Sequence, residues 1–261
     1  MTRRFRSLLA VAALLASGHA HATPSTTFWT PATTYVQPFL VPHVTYDTYF
    51  GRNAAYPVDT GIEIGVLPFE KLQAEVGFDL LLPQPAPNGL DAGLLLNGKI
   101  GAPEGAFGAW QPGISAGIMG VGFKSDVSDY DLLHGELSKT LPLIGTVVAG
   151  AYYGLNDKLF VDDKGQVSRA GFLAAYVTPD VPIGLPGLDK INFFGDVQTG
   201  NSAYAAAGGG IGLYFTPAID VLTGPVFFLN PRVQPGGTSW MWSVQLDVDL
   251  DLFKKTAPAR T

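Results

Sequence analysis

The stretch Ser239-Trp-Met-Trp-Ser-Val-Gln-Leu-Asp-Val-Asp-Leu-Asp-Leu-Phe253 alternates almost without a break. Trp240, Trp242, Val244, Leu246, Val248, Leu250 and Leu252 share one parity, and Ser243, Gln245, Asp247, Asp249 and Asp251 share the other. A helix cannot sort residues at a period of two, so this is a strand with an apolar face and an acidic face. Trp240 to Leu250 also matches the roughly 9 to 11 residues that a tilted strand needs to cross a bilayer.

The same pattern recurs along the chain. Period-two segments are separated by Gly, Pro, Asn and Asp clusters, and no segment carries the i, i+3, i+4, i+7 spacing of an amphipathic helix. The expected strands are Tyr35–Phe50, Thr60–Leu67, Leu72–Leu82, Ala92–Gly101, Gly113–Phe123, Asp131–Lys139, Gly145–Leu155, Val167–Val177, Lys190–Thr199, Ala203–Phe215, Ile219–Leu229 and Ser239–Phe253. The fold class is therefore all-β, an antiparallel transmembrane β-barrel of about twelve strands. With both termini in the periplasm, connections such as Lys124–Tyr130, Asn156–Gln166 and Asn230–Thr238 face outward. Pro68–Lys71, Ala102–Pro112, Thr178–Asp189 and Thr216–Ala218 then face inward.

The N-terminus supports export. Arg3, Arg4 and Arg6 precede the apolar run Leu8–Ala16, and Ala20-His21-Ala22 is a small-x-small cleavage site. Residues 1–22 read as a secretory signal, too short in their apolar part to span a membrane. Residues 23–261 form one barrel domain in the cell outer membrane. Removing residues 1–22, which hold three of the 16 Lys and Arg and none of the 22 Asp and Glu, leaves 239 residues with a formal net charge of −9. Nucleic acid is excluded as a partner by that charge. With no Cys, the chain has neither disulfides nor a lipid-bearing N-terminal cysteine. Charged residues make up only 15% and mean hydropathy is +0.21. Abundant but dispersed apolar residues fit a membrane barrel, and a soluble sandwich disperses them as well.

Parity sorts the interior. Ile62, Ile64, Val66, Val76, Phe78 and Leu80 face lipid in the second and third strands, leaving Glu63, Glu75 and Asp79 inward. A charge on the lipid face costs about 2 to 4 kcal/mol at mid-bilayer for a basic residue. The same argument places His43, Asp47, Lys99, Glu136, Asp196, Gln198, Asp247 and Asp249 in the lumen, with Lys99 and Arg169 as counter-charges. Leu95, Met119, Val121, Phe123, Tyr152 and Phe194 join them. Two readings stay open: an acid-lined pore that concentrates cations, or carboxylates paired in a filled interior. Trp240 and Trp242 are expected in a lipid-facing aromatic girdle.

Catalysis and metal binding find little footing. Ser138 and His134 share a face but lie four residues apart, roughly 13 Å along a strand, beyond hydrogen-bond reach. The Asp247, Asp249, Asp251 ladder spaces its members by about 6.6 Å and is more often hydrated than metal-loaded. No cofactor is implied.

The signal, the absence of Cys, the even strand set and the aromatic-rich last strand resemble small porin-like outer-membrane barrels of bacteria. Thr60-Gly-Ile-Glu-Ile-Gly-Val-Leu-Pro-Phe69 and Leu72-Gln-Ala-Glu-Val-Gly-Phe-Asp79 look like the early hairpin of barrels of the MetA pathway of phenol degradation. That resemblance implies uptake of aromatic compounds. Such barrels usually end on an aromatic residue read by the barrel-assembly machinery. Here Phe253 breaks parity and the basic Lys254–Thr261 tail follows it. The expected function is passive diffusion of small solutes across the outer-membrane lipid, with an acidic lumen favouring cations or neutral molecules. The alternatives are a closed structural or surface-interaction barrel and an uptake channel for hydrophobic or aromatic compounds.

Overall fold

A computed structural model describes residues 26–52, 58–82 and 90–251. The expected signal at 1–22, Phe253 and the tail at 254–261 lie outside the described residues.

Thirteen strands follow one another: β1 Pro42–Phe50, β2 Val58–Gly65, β3 Gln73–Leu82, β4 Leu94–Ala102, β5 Gly113–Gly122, β6 Leu132–Leu141, β7 Gly145–Gly154, β8 Ala170–Val177, β9 Val181–Leu185, β10 Leu188–Gln198, β11 Ala206–Thr216, β12 Ile219–Phe228 and β13 Trp240–Asp249. Twelve of them close into one antiparallel barrel. Each stave pairs with the next in the chain, and β13 returns to β1 with His43 opposite Asp249 and Phe50 opposite Trp242. The exception is β9, which pairs only with the start of β10, while β8 pairs directly with the later part of β10. The segment 178–189, expected as a plain connection, thus contains a strand. Pro182 and Gly184 inside Val181–Leu185 hide it from a periodicity argument; Gly184 takes a positive φ where the β9–β10 register shifts, and Gly187 takes one in the turn between them.

Side chains alternate in and out as the pleat requires. In β13, Trp240, Trp242 and Leu246 are exposed on the outer surface while Ser243, Gln245 and Asp247 are buried inside. The outer face carries large apolar residues on strand after strand, among them Val76, Phe78, Ile100, Leu137, Phe172 and Phe193. Soluble monomers rarely expose contiguous apolar patches above a few hundred Å². This belt runs round the barrel.

The first expected strand begins late. Only Pro42–Phe50 joins the wall; Tyr35–Pro38, expected to start that strand, lies within the barrel, and Phe39 and Leu40 are exposed where the chain turns beside Gly65. Pro31, Pro38 and Pro42 remove ladder donors, and Leu40 adopts a left-handed φ of 58°, so the chain turns off the wall. With little sheet partner of its own, residues 26–41 take hydrogen bonds from the wall, as buried backbone must. Gln245 Nε2 donates to Phe28 O at 2.8 Å, and the Ser115 hydroxyl lies 3.2 Å from Thr33 O. Gln37 N donates to Glu75 Oε2 at 2.5 Å, while Gln37 Nε2 reaches Asp249 Oδ1 at 2.7 Å. These partners stand on β13, β5 and β3, so the segment runs lengthwise down the lumen.

Two apolar clusters flank it. One gathers Ala32 with Leu132, Tyr152, Phe160 and Leu173, and the other gathers Phe28 with Phe194, Leu222, Val226 and Met241. Glycines of β11 permit close approach, one to the second cluster and one to the neighbouring strand β12. A Cβ at Gly208 would stand 2.8 Å from the Phe28 ring, and one at Gly210 would run into Thr223 O. Gly210→Val is therefore expected to lower the free energy of unfolding by about 1 to 3 kcal/mol. Gly98→Ala, whose Cβ meets nothing closer than Glu75 O at 3.6 Å, is expected to be nearly neutral. Urea unfolding in detergent micelles followed by tryptophan fluorescence separates the two.

Candidate functional site

The space that the N-terminal segment leaves is a chamber of about 600 Å³. Its wall from β1 to β4 is acidic. Asp47 on β1 stands directly opposite Asp59 on β2, and Asp79 on β3 stands opposite Gly61, where a side chain would collide with the Asp79 carboxylate. Glu63, Glu75 and Asp247 bring the lining to six carboxylates among the described residues, against Lys99 as the one Lys or Arg among them. Like charges directly opposite across a ladder are destabilising.

Several acids are already engaged. Lys99 Nζ lies 3.2 Å from Glu75 Oε1, with both side chains almost wholly buried. Glu136 receives Ser115 Oγ at 2.6 Å on one oxygen and contacts His134 Nδ1 at 2.8 Å through the other. The Ser115 hydroxyl is directed to Glu136 and not to a nitrogen of His134, so these two are not in contact as nucleophile and base. Ser138 contacts Thr34 Oγ1 at 2.5 Å instead. Asp196 Oδ2 accepts the backbone N–H groups of Phe28, Trp29 and Thr30 at 3.0, 2.8 and 2.8 Å, and the Thr30 hydroxyl at 3.2 Å. His43 reaches Asp249 Oδ1 at 3.0 Å through Nδ1. It lies 3.2 Å from Asp247 Oδ1 through Nε2, close enough for an ion pair but outside hydrogen-bond geometry.

The nine acidic and basic residues expected in the interior therefore divide by task. Glu75, Glu136, Asp196 and Asp249 tie down neighbouring groups, Lys99 pairs with Glu75, and Asp47, Glu63, Asp79 and Asp247 line the chamber. Asp59 belongs with the last group, although the expected strand began one residue after it. Its parity with Glu63 was the available signal. Trp240 and Trp242 point outward near one rim, and Trp242 Nε1 donates to Thr223 Oγ1 at 2.8 Å.

Two expectations are corrected. Arg169 is no lumen counter-charge: its guanidinium sits 4.8 Å from the centroid of the Tyr153 ring, on the outer surface. Val121 and Phe123 do not face the lumen either. A bulge sets Met119 and Gly120 against Asn97, so Val121 comes opposite the outward Leu96 and Phe123 is 59% exposed. Asn97 fills that bulge, accepting from Gly120 N at 2.9 Å and donating to Asp79 Oδ2 at 2.5 Å. Leu95 and Met119 do line the chamber, and Tyr152 and Phe194 are buried in the interior clusters. Among the described residues, no three His, Asp or Glu side chains are grouped as a metal site.

Aromatic rings face the acids. Trp29 meets Tyr49 edge-on at 5.3 Å and Phe228 at 6.1 Å, and Tyr49 OH donates to Asp47 Oδ2 at 3.2 Å. Gln234, Pro235 and Thr238 from the β12–β13 connection and Tyr204 from the β10–β11 connection close over the same space.

The connections at that end carry their own ties. Lys158 Nζ contacts Asp126 Oδ2 at 2.5 Å, and Arg232 Nη1 contacts Asp163 Oδ2 at 3.0 Å. The Lys158 hydrogen bond, then that of Asn156, holds the Asp126 carboxyl below the usual carboxylate range, and Arg232 does the same for Asp163. A lowered folded pKa means that each tie is intact above the unfolded value, about 3.9, and is lost as pH falls through the folded one. Carboxyl-carbon NMR titration is expected to show both groups ionised throughout mildly acidic pH and protonating only below that value.

Fold and site together define a closed twelve-stranded barrel with an apolar exterior and an acid-walled, partly filled interior. No family model matches the chain, so the kinship expected from the Thr60–Asp79 hairpin finds no support there, and no curated protein matches it. Among solved structures, the NanC porin in a rhombohedral crystal form aligns with a TM-score of 0.48 at 10% identity, covering 81% of this chain and 100% of that one. An outer membrane channel from Pseudomonas putida F1 aligns with a TM-score of 0.44 at 11% identity, covering 83% and 97%. A mutant porin of Rh. blastica aligns at 0.37 and 11% identity, covering 74% and 55%.

Proposed function

We propose that this protein is a porin-like channel of the bacterial outer membrane, passing small cationic or neutral solutes by diffusion. The observation that carries the reading is the pairing of an outer apolar belt with an inner chamber holding six carboxylates and one lysine. The belt matches lipid, and the unbalanced interior charge attracts cations and repels anions. The reading requires no chemical step, and the Glu136-centred arrangement offers no activated nucleophile.

Two measurements test it. In variants retaining one tryptophan each, brominated lipids are expected to quench Trp240 and Trp242 strongly and Trp29 weakly. Equal quenching would remove the membrane orientation. In proteoliposomes, choline and small sugars are expected to equilibrate faster than gluconate, and the reverse order would remove the selectivity.

A second reading has its own support. Residues 26–38 occupy the lumen and the two apolar clusters fill much of the rest, as in a closed barrel whose outer connections do the binding. Absence of flux from folded, heat-modifiable protein would favour it. The aromatic lining of the chamber likewise supports the uptake of hydrophobic or aromatic compounds, and flux of phenol exceeding that of choline would favour that variant.

A further inference from the structure

We infer that the chamber is a binding site for a small organic ammonium ion with an apolar body. The inference rests on the acid-walled interior described above but not on conduction through it.

Three features converge. First, Asp47 and Asp59 face each other across the β1–β2 ladder with Asp79 beside them, and the described residues supply none of the three with a Lys or Arg partner. The segments 53–57 and 83–89, which adjoin these strands, contain no Lys or Arg in sequence. The Tyr49 hydroxyl and the Asn97 amide each donate to one of these acids but bring no positive charge, which a mobile cation would supply. Second, two side chains that line the chamber and are more than nine-tenths buried carry atoms with no hydrogen-bond partner. They are Asp247, through Oδ2, and Gln198, through Nε2. A ligand with a positive end and an acceptor or π-face elsewhere would satisfy both. Third, Trp29, Tyr49 and Phe228 form an edge-on aromatic cluster that joins the acids through the Tyr49–Asp47 hydrogen bond. Aromatic faces attract cations within about 6 Å, and an alkylated ammonium suits them better than a strongly hydrated metal ion. The volume, about 600 Å³, falls within the range of small-molecule sites.

The probe is phenyltrimethylammonium, whose charge is permanent, with tert-butylbenzene as its uncharged isostere. In detergent-solubilised full-length mature protein with Trp110, Trp240 and Trp242 replaced by Phe, Trp29 fluorescence is expected to respond saturably to the ammonium probe. Asp59→Asn combined with Asp79→Asn is expected to weaken binding at least tenfold, and Glu70→Gln, on the exposed β2–β3 connection away from the chamber lining, is expected to leave it unchanged. Asp47→Asn alone, expected to weaken binding several-fold, serves should the double variant fail to show heat-modifiable migration. Undiminished binding in the acid variants, or equal response to the neutral isostere, overturns the proposal. So does a saturable signal abolished equally by sodium and by the probe's quaternary ammonium analogues without rings. Binding by a barrel that conducts nothing would sustain the site and defeat only the channel.

Discussion

Asp196→Ala is expected to loosen the segment at 26–41 and to raise single-channel conductance several-fold. One oxygen of this carboxylate accepts three successive backbone N–H groups and a hydroxyl, all inside the barrel. Removing it leaves three buried donors without an acceptor, each costing about 1 to 3 kcal/mol. Part of that is offset, because Asp196 Oδ1 has no partner and burial of the carboxylate is itself costly. A net loss of about 3 kcal/mol in urea unfolding is expected. The loss falls mostly on the Phe28–Thr30 anchor, since Gln37 keeps its bonds to Glu75 and Asp249 at the other end. Asp196→Asn retains an acceptor oxygen and should lie between the two. Unchanged conductance in the alanine variant would mean that the segment does not set the constriction.

Neutralising the acidic wall is expected to change selectivity rather than stability. With Asp47, Asp59 and Asp79 all replaced by Asn, the chamber lining retains Glu63, Glu75 and Asp247 beside Lys99. Glu75 is already matched to that lysine at 3.2 Å, and Asp247 lies beside His43. Most of the uncompensated charge is thus removed, and the reversal potential in a salt gradient is expected to fall by more than half. The cross-strand repulsion between Asp47 and Asp59 also disappears, so urea unfolding is expected to show equal or greater stability. A variant as cation-selective as the parent would place the selectivity elsewhere.

Much of this architecture was legible in the residues because a barrel wall obeys one rule along every stave. The alternation in Trp240–Asp249 places Ser243, Gln245 and Asp247 inside and the tryptophans outside, as the structure has them. What escaped the rule was local. Tyr35–Val41 imitates the start of a strand, yet Pro31, Pro38 and the left-handed Leu40 keep it from extending β1, and the segment's anchors include acids more than 30 residues away. A single extra residue at the Asn97–Gly120 bulge reversed the parity of Val121 and Phe123. The short β9 hairpin was masked by its own proline and glycine. The chamber's chemistry was half visible: the acids could be counted, but which were already tied, as Glu136 and Asp196 are, depends on contacts between distant strands.

The most direct test of an acid-walled, membrane-spanning interior is the reversal potential of the refolded mature protein in a planar bilayer under a potassium chloride gradient. A cation-selective potential that shrinks as ionic strength screens the wall is the expected result. A resolved conductance with anion preference would contradict the account.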